Sequence, residues 1–127
     1  MRFPSNEFVL REQEKIIEDA GGLHGVRDMH SLLSALGQPM QSFGGQDLYP
    51  DIIAKAAALG YFLIRNHAFV DGNKRIGHEM MEWVLRANSF EMIKDIDDQE
   101  MTVLAVAAGE LSLDDLTDWL RERTRKV

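Results

Sequence analysis

The sequence predicts an all-α protein, a compact bundle of about six helices with a loop or short flap before the central helix. Apolar residues recur at helical spacing in six separate stretches, and glycines or capping residues fall between those stretches. Alternating strand-like patterns are nearly absent.

Pro4 and Ser5 precede NEFVLREQEKIIEDA, in which Phe8, Val9, Ile16, Ile17 and Ala20 recur at roughly helical spacing. Ser5 serves as its N-cap and the glycines at 21 and 22 end it. Asp28 caps a second, short helix whose Met29, Leu32, Leu33 and Leu36 follow the i, i+3, i+4, i+7 rule, so that stripe is expected in the core and Gly37 is expected to stop the helix. QPMQSFGGQDLYP (Gln38 to Pro50) has two prolines, two glycines and no helical period, and reads as a long loop with room for a short β-hairpin.

IIAKAAALGYFLI (Ile52 to Ile64) is almost wholly apolar and predicts a helix buried on most sides. After a polar loop, Lys74 to Ala87 resumes a helical pattern through Ile76, Met80, Trp83, Val84 and Ala87. The run Glu91 to Glu100 is acidic and turn-like, and the next helix, starting near Asp97, carries Met101, Leu104, Ala105 and Ala108 and stops at Gly109. Ser112, three residues before Asp115, opens a last helix with Leu113, Leu116, Trp119 and Leu120. Trp83, Val84, Trp119 and Leu120 are expected to pack in the core.

At 127 residues the chain is expected to form a single domain, 1–127. Its 45% apolar and 28% charged residues are ordinary for a soluble protein, and no apolar run approaches the ~20 residues of a membrane span. MRFPSNEFVL lacks the pattern of a secretory signal and there is no cysteine, so a cytoplasmic location is expected. A formal net charge of −7 argues against direct nucleic-acid binding. It therefore disfavours a metal-independent ribonuclease built on Arg65, His67 and Lys74. His24 and His30 have no metal-ligand spacing with acidic partners, so zinc is not expected.

The densest chemistry is HAFVDGNKR, His67 to Arg75. A helix beginning at Asn73 or Lys74 leaves backbone N–H groups without partners, and Gly72 lets a ligand approach that end closely. Lys74 and Arg75 put two cations where the helix dipole is already positive, a conflict that a bound anion such as phosphate would resolve. Asp71 can hold Mg²⁺, which needs only one or two carboxylates when phosphate oxygens complete its shell. His67 suits a general base. Arg65 fits either a phosphate contact or a C-terminal helix cation, and only one of His78 and Glu79 can face the loop.

HAFVDGNKR closely resembles the Fic/Doc signature, His-x-Phe-x-(Asp/Glu)-(Gly/Ala)-Asn-(Gly/Lys)-Arg, and Lys74 resembles its death-on-curing (Doc) branch. GGLHGVRD (Gly21 to Asp28), the loop near 38 to 50 and the order of helices extend the resemblance over most of the chain. The resemblance implies an all-α transferase with ATP as substrate. His67 would be its base, Asp71 would bind Mg²⁺, Gly72, Asn73 and Lys74 would line the phosphate site, Arg75 would contact phosphates and Phe69 would anchor the loop. Fic proteins usually transfer a nucleoside monophosphate; here Lys74 stands in place of the second glycine and His78 in place of a final arginine. A Doc-type reading follows, with transfer of the γ-phosphate to a protein hydroxyl of translation elongation factor Tu and arrest of protein synthesis. A partner antitoxin would silence it, through a disordered segment that folds as a helix in a groove. Adenylyl or other nucleotidyl transfer is the alternative chemistry, and a non-catalytic nucleotide- or peptide-binding module the alternative class. The loop Gln38 to Pro50 would serve as a flap for the target backbone. No Ser/Thr-x-x-x-Glu brake is evident at either end, so regulation in trans is expected.

Overall fold

The computed structural model describes all 127 residues. Six helices follow in order: α1 Asn6–Ala20, α2 Met29–Gly37, α3 Ile52–Arg65, α4 Asn73–Ala87, α5 Ile96–Ala107 and α6 Leu113–Glu122. Two small antiparallel pairings complete the fold. Ser42–Phe43 (β1) pairs with Gln46–Asp47 (β2), and Phe90–Met92 (β3) pairs with Thr124–Lys126 (β4). No helix is long and apolar enough to cross a membrane.

Five helices open on an oxygen that accepts a backbone N–H three residues on: Ser5 from Phe8, Asp28 from Ser31, Asp51 from Ala54, Asp95 from Asp98 and Ser112 from Asp115. Each such cap contributes about 1 kcal/mol. Helix α4 is the exception, for it opens on Gly72 with no side-chain cap.

The predicted apolar helix is the centre of the molecule. Ala56, Ala57, Ala58, Leu59 and Leu63 of α3 are fully buried, and α3 packs most extensively on α4, whose Ile76, Met80, Val84 and Leu85 are also fully buried. The two helices approach closely because each presents a glycine at the crossing. A Cβ on Gly77 would lie 2.8 Å from the Gly60 carbonyl oxygen and 2.5 Å from Ile64 Cγ1. One on Gly60 would lie 3.1 Å from the Gly77 carbonyl oxygen.

The flap is a two-strand hairpin turned by Gly44 and Gly45, and all of its residues are exposed. Its anchor is Lys55 of α3, only 2% exposed, whose Nζ donates to Asp47 Oδ2 (3.2 Å), Pro39 O (3.5 Å) and Tyr49 O. The buried ammonium is thereby fully hydrogen-bonded, as burial of a charge demands.

Three local expectations need correction. Helix α2 does not stop before Gly37 but includes it, with ordinary right-handed geometry, and runs into a 3-10 turn at Gln38–Met40. Of its apolar stripe, Leu32 is buried, whereas Met29 and Leu33 are about half exposed and Ala35 fills the core instead. On α5 the face is also different: Gln99, Thr102, Val103 and Val106 are buried, while Met101 and Leu104 are exposed. Polarity misled here because both buried polar residues are satisfied. Gln99 bonds His78 and Ile93 O, and Thr102 Oγ1 donates to Asp98 O. Trp83 and Trp119 pack half-buried against the core that holds Val84 and Leu120.

Gly77→Ala should lower stability by about 1–3 kcal/mol, since the added methyl meets the Gly60 carbonyl oxygen as well as the buried Ile64 side chain. Urea unfolding measures this. An unchanged midpoint would show that the crossing yields freely.

Candidate active site

Residues 66–72 link α3 to α4 and fold as a tight loop closed from within. Asn73, 5% exposed, turns its amide back so that Oδ1 accepts from Phe69 N (3.0 Å) and Nδ2 donates to Phe69 O (2.9 Å). Phe69 is 1% exposed and anchors the loop in the core. The Asn73 side chain is therefore committed to the loop, and what this residue can offer an anion is its backbone N–H.

A second segment, residues 21–28, lies against the first. Val26 and Phe69 form an antiparallel bridge, Val70 N donates to Gly25 O, and Arg27 N and Asp28 N both donate to Ala68 O. Leu23 N donates to Asp71 Oδ2 at 2.7 Å, and from α1 the buried Gln13 donates through Nε2 to Asp71 O at 3.0 Å. Gly22 makes this fit possible, since a Cβ there would stand 3.2 Å from Asp71 Oδ2.

Two backbone positions show how firmly the loop is held. Gly72 has φ +79°, with Ile17 Cδ1 3.3 Å from where a Cβ would be. His67, a non-glycine residue, has φ +50°. Such a conformation costs about 1–3 kcal/mol and persists only where the surroundings impose it.

The loop and the first turn of α4 wall a cavity of about 440 Å³. Its lining includes His67, Asp71, Gly72, Asn73, Lys74 and Arg75, with Arg65 and Ala107 on the far side. The first intrahelical bond of α4 runs from Ile76 N to Gly72 O, so the N–H groups of Asn73, Lys74 and Arg75 precede it and lack helix partners. Neither Lys74 nor Arg75 is ion-paired. The open, uncapped end of α4 thus carries free N–H groups, the positive end of a dipole and two unpaired cations, a combination suited to a polyanion.

Asp71 is the one carboxylate in the cavity wall. Its Oδ2 is held by Leu23 N–H while Oδ1 accepts no hydrogen bond within the protein, which fits a hard divalent ion that draws its other ligands from phosphate and water. Arg65 lines the same cavity, but its guanidinium donates to Ala107 O (3.1 Å) and Val106 O (3.5 Å). The dipole it serves is that of α5, not of its own helix.

Sequence reasoning placed the motif residues together but missed Gln13, Leu23 and Arg27, which hold the loop from outside. Gln13 carried a readable signal, a polar residue on the same helical face as Val9, Ile16 and Ile17. His24 and His30 are exposed, and no three His, Asp or Glu side chains converge as metal ligands.

A second cavity, about 460 Å³, lies between α1 and α4 and shares Arg75 with the first. Glu12, Asp19, Glu79 and Glu82 face Lys15, Arg75 and Arg86 across it. Glu79 is held above the usual carboxylate range by burial and then by the charge of Glu12, with Arg75 and Lys15 opposing. His78 turns from the motif toward α5, where its Nε2 meets Gln99 Oε1 at 2.9 Å.

Against known proteins, the Fic/DOC family model matches residues 3–85. The chain is also 38% identical over 98 residues to "Toxin Doc" of Mycolicibacterium smegmatis (strain ATCC 700084 / mc(2)155), covering 76% of this chain and 75% of the relative.

The raised pKa of Glu79 sets a pH dependence. The folded state binds this proton more tightly than the unfolded chain, so the favourable contribution is complete below the unfolded value and is lost as pH rises through the folded one. Glu79→Gln should therefore be more stable than wild type at pH 7, and the advantage should vanish at acid pH. Thermal unfolding across pH tests this, and an advantage that grows toward acid would contradict it.

Proposed function

The chain belongs to the Fic/DOC family, and from that premise we propose that it is a Doc-like toxin that transfers the γ-phosphate of ATP to a protein hydroxyl. The observation that carries this reading is the uncapped end of α4. Lys74 and Arg75 stand unpaired there, in one cavity wall with His67 and Asp71.

His67 accepts the proton of the incoming Ser or Thr hydroxyl as that oxygen attacks the γ-phosphorus, the bond from the γ-phosphorus to the β,γ-bridging oxygen breaks, and ADP leaves with that electron pair. Asp71, oriented by Leu23 N–H, would hold Mg²⁺ through its carboxylate. When bound, Mg²⁺ neutralises charge on the phosphates. The N–H groups at the start of α4 and the Arg75 guanidinium hold the phosphate oxygens, and Lys74 stabilises charge as the phosphoryl group moves. Lysine at 74, where a glycine would leave the helix end open to a diphosphate, supports placing the γ-phosphate rather than the α-phosphate at the target hydroxyl.

Elongation factor Tu is the proposed target, with inhibition of translation as the consequence, on the strength of the Doc resemblance. The exposed β1–β2 hairpin offers free strand edges for an extended segment of the target. An antitoxin is the proposed partner, its disordered segment folding as a helix in the groove between α1 and α4 beside Arg75. This chemistry belongs in the cytoplasm.

The test is incubation with elongation factor Tu and ATP labelled separately at the α- and γ-phosphates. Label from the γ-position alone should reach the target, and a folded His67→Ala variant should transfer it roughly 10²–10⁴ times more slowly. Lys74→Gly should lose phosphoryl transfer. Appearance of AMP on the target would replace the kinase reading with adenylyl transfer, and transfer of neither label would leave a non-catalytic binding module.

A further inference from the structure

Segment 21–28 hydrogen-bonds to the motif loop mostly through its backbone, and its one side chain that does so is that of Arg27. Its Nε donates to His67 O at 2.7 Å and its Nη2 approaches Asn66 O at 3.4 Å. These two carbonyls belong to the peptide planes on either side of the His67 Cα. A planar, charged fork therefore grips both planes whose relative rotation defines the left-handed backbone of His67. Its neighbouring N–H groups, on Arg27 and Asp28, secure Ala68 O, the next carbonyl along.

No other side chain hydrogen-bonds to the His67 backbone. Asn73 closes the loop at Phe69, and Leu23 and Gln13 hold Asp71. Asn66 is fixed at its own side chain, where Nδ2 donates to Ser31 O. The histidine thus has a tether separate from those of the metal and phosphate groups.

We propose that Arg27 is a positioning residue for His67, holding its backbone in the left-handed conformation that aims the imidazole into the cavity. The inference rests on the reading of His67 as the base. It predicts a division of labour: loss of Arg27 disturbs proton removal and leaves nucleotide binding alone. Lysine at this position has one ammonium in place of a fork and can hold one carbonyl firmly, so it restores the geometry in part.

The test compares Arg27→Met and Arg27→Lys with wild type. In Arg27→Met, kcat should fall roughly 10- to 100-fold, as for a misplaced catalytic group. KM for ATP, and Mg²⁺-dependent ATP affinity by calorimetry, should stay at wild-type values, and Arg27→Lys should fall between. Independently of turnover, the His67 Cα and Cβ chemical shifts, which report its backbone conformation, should move in Arg27→Met. Wild-type shifts, a wild-type kcat, or a parallel loss of kcat and ATP affinity in that variant would overturn the proposal. If wild type itself transfers no label, the proposed activity fails, and the shifts still decide whether Arg27 holds His67.

Discussion

The close crossing of α3 and α4 is the constraint from which the rest of the molecule follows. Gly60 and Gly77 let the two backbones approach closely, and the chain must return from one helix to the other within a short loop. The seven residues 66–72 have little room, and they solve the problem with a backbone that most side chains disfavour at two positions, His67 and Gly72. Packing in the core and unusual geometry at the site are thus one feature. The buried helix delivers the loop, and the loop's shape is set by how near the next helix lies.

That loop is then held by elements remote in sequence. Residues 22–28 supply backbone partners to Ala68, Val70 and Asp71, and α1 supplies Gln13. The result is a wall in which the loop that carries the histidine and the carboxylate is hydrogen-bonded from within and from outside, the kind of preorganisation under which electrostatic groups act most strongly. The cations do not help this architecture. Lys74 and Arg75 sit at the end of α4 where positive charge opposes the dipole, and neither forms an ion pair. This helix end forgoes both a side-chain cap and a favourable charge, whereas the other five helices have caps.

Much of this was legible in the sequence. Ser5, Asp28 and Ser112 announced their helices because capping needs only a local oxygen at the right offset. The apolar run of α3 could be nothing but buried, and HAFVDGNKR stood out as the candidate site through sheer density of polar types. What escaped notice depended on tertiary partners. Arg27 looks like any loop arginine until His67 is folded beneath it. The faces of α2 and α5 were misassigned because apolarity was read as burial, whereas Gln99 and Thr102 are buried with their hydrogen bonds made and Met101 and Leu104 lie outside. Strands β3 and β4, three residues each, are too short to display a period, and only their pairing makes them strands.

Arg75 belongs to both cavities, and a shared residue cannot serve two ligands independently. If, as proposed, its guanidinium holds phosphate, a ligand that took it in the groove between α1 and α4 would remove a cation from the anion site, and phosphate that drew it away would leave the groove more acidic by one charge. Thermodynamic linkage makes the two effects equal: the factor by which a groove ligand weakens anion binding is the factor by which the anion weakens the groove ligand. The concentration of nucleotide would therefore set the apparent affinity of any groove ligand that engages this arginine. On that reading a single side chain at a helix end would make the two surfaces read each other's occupancy.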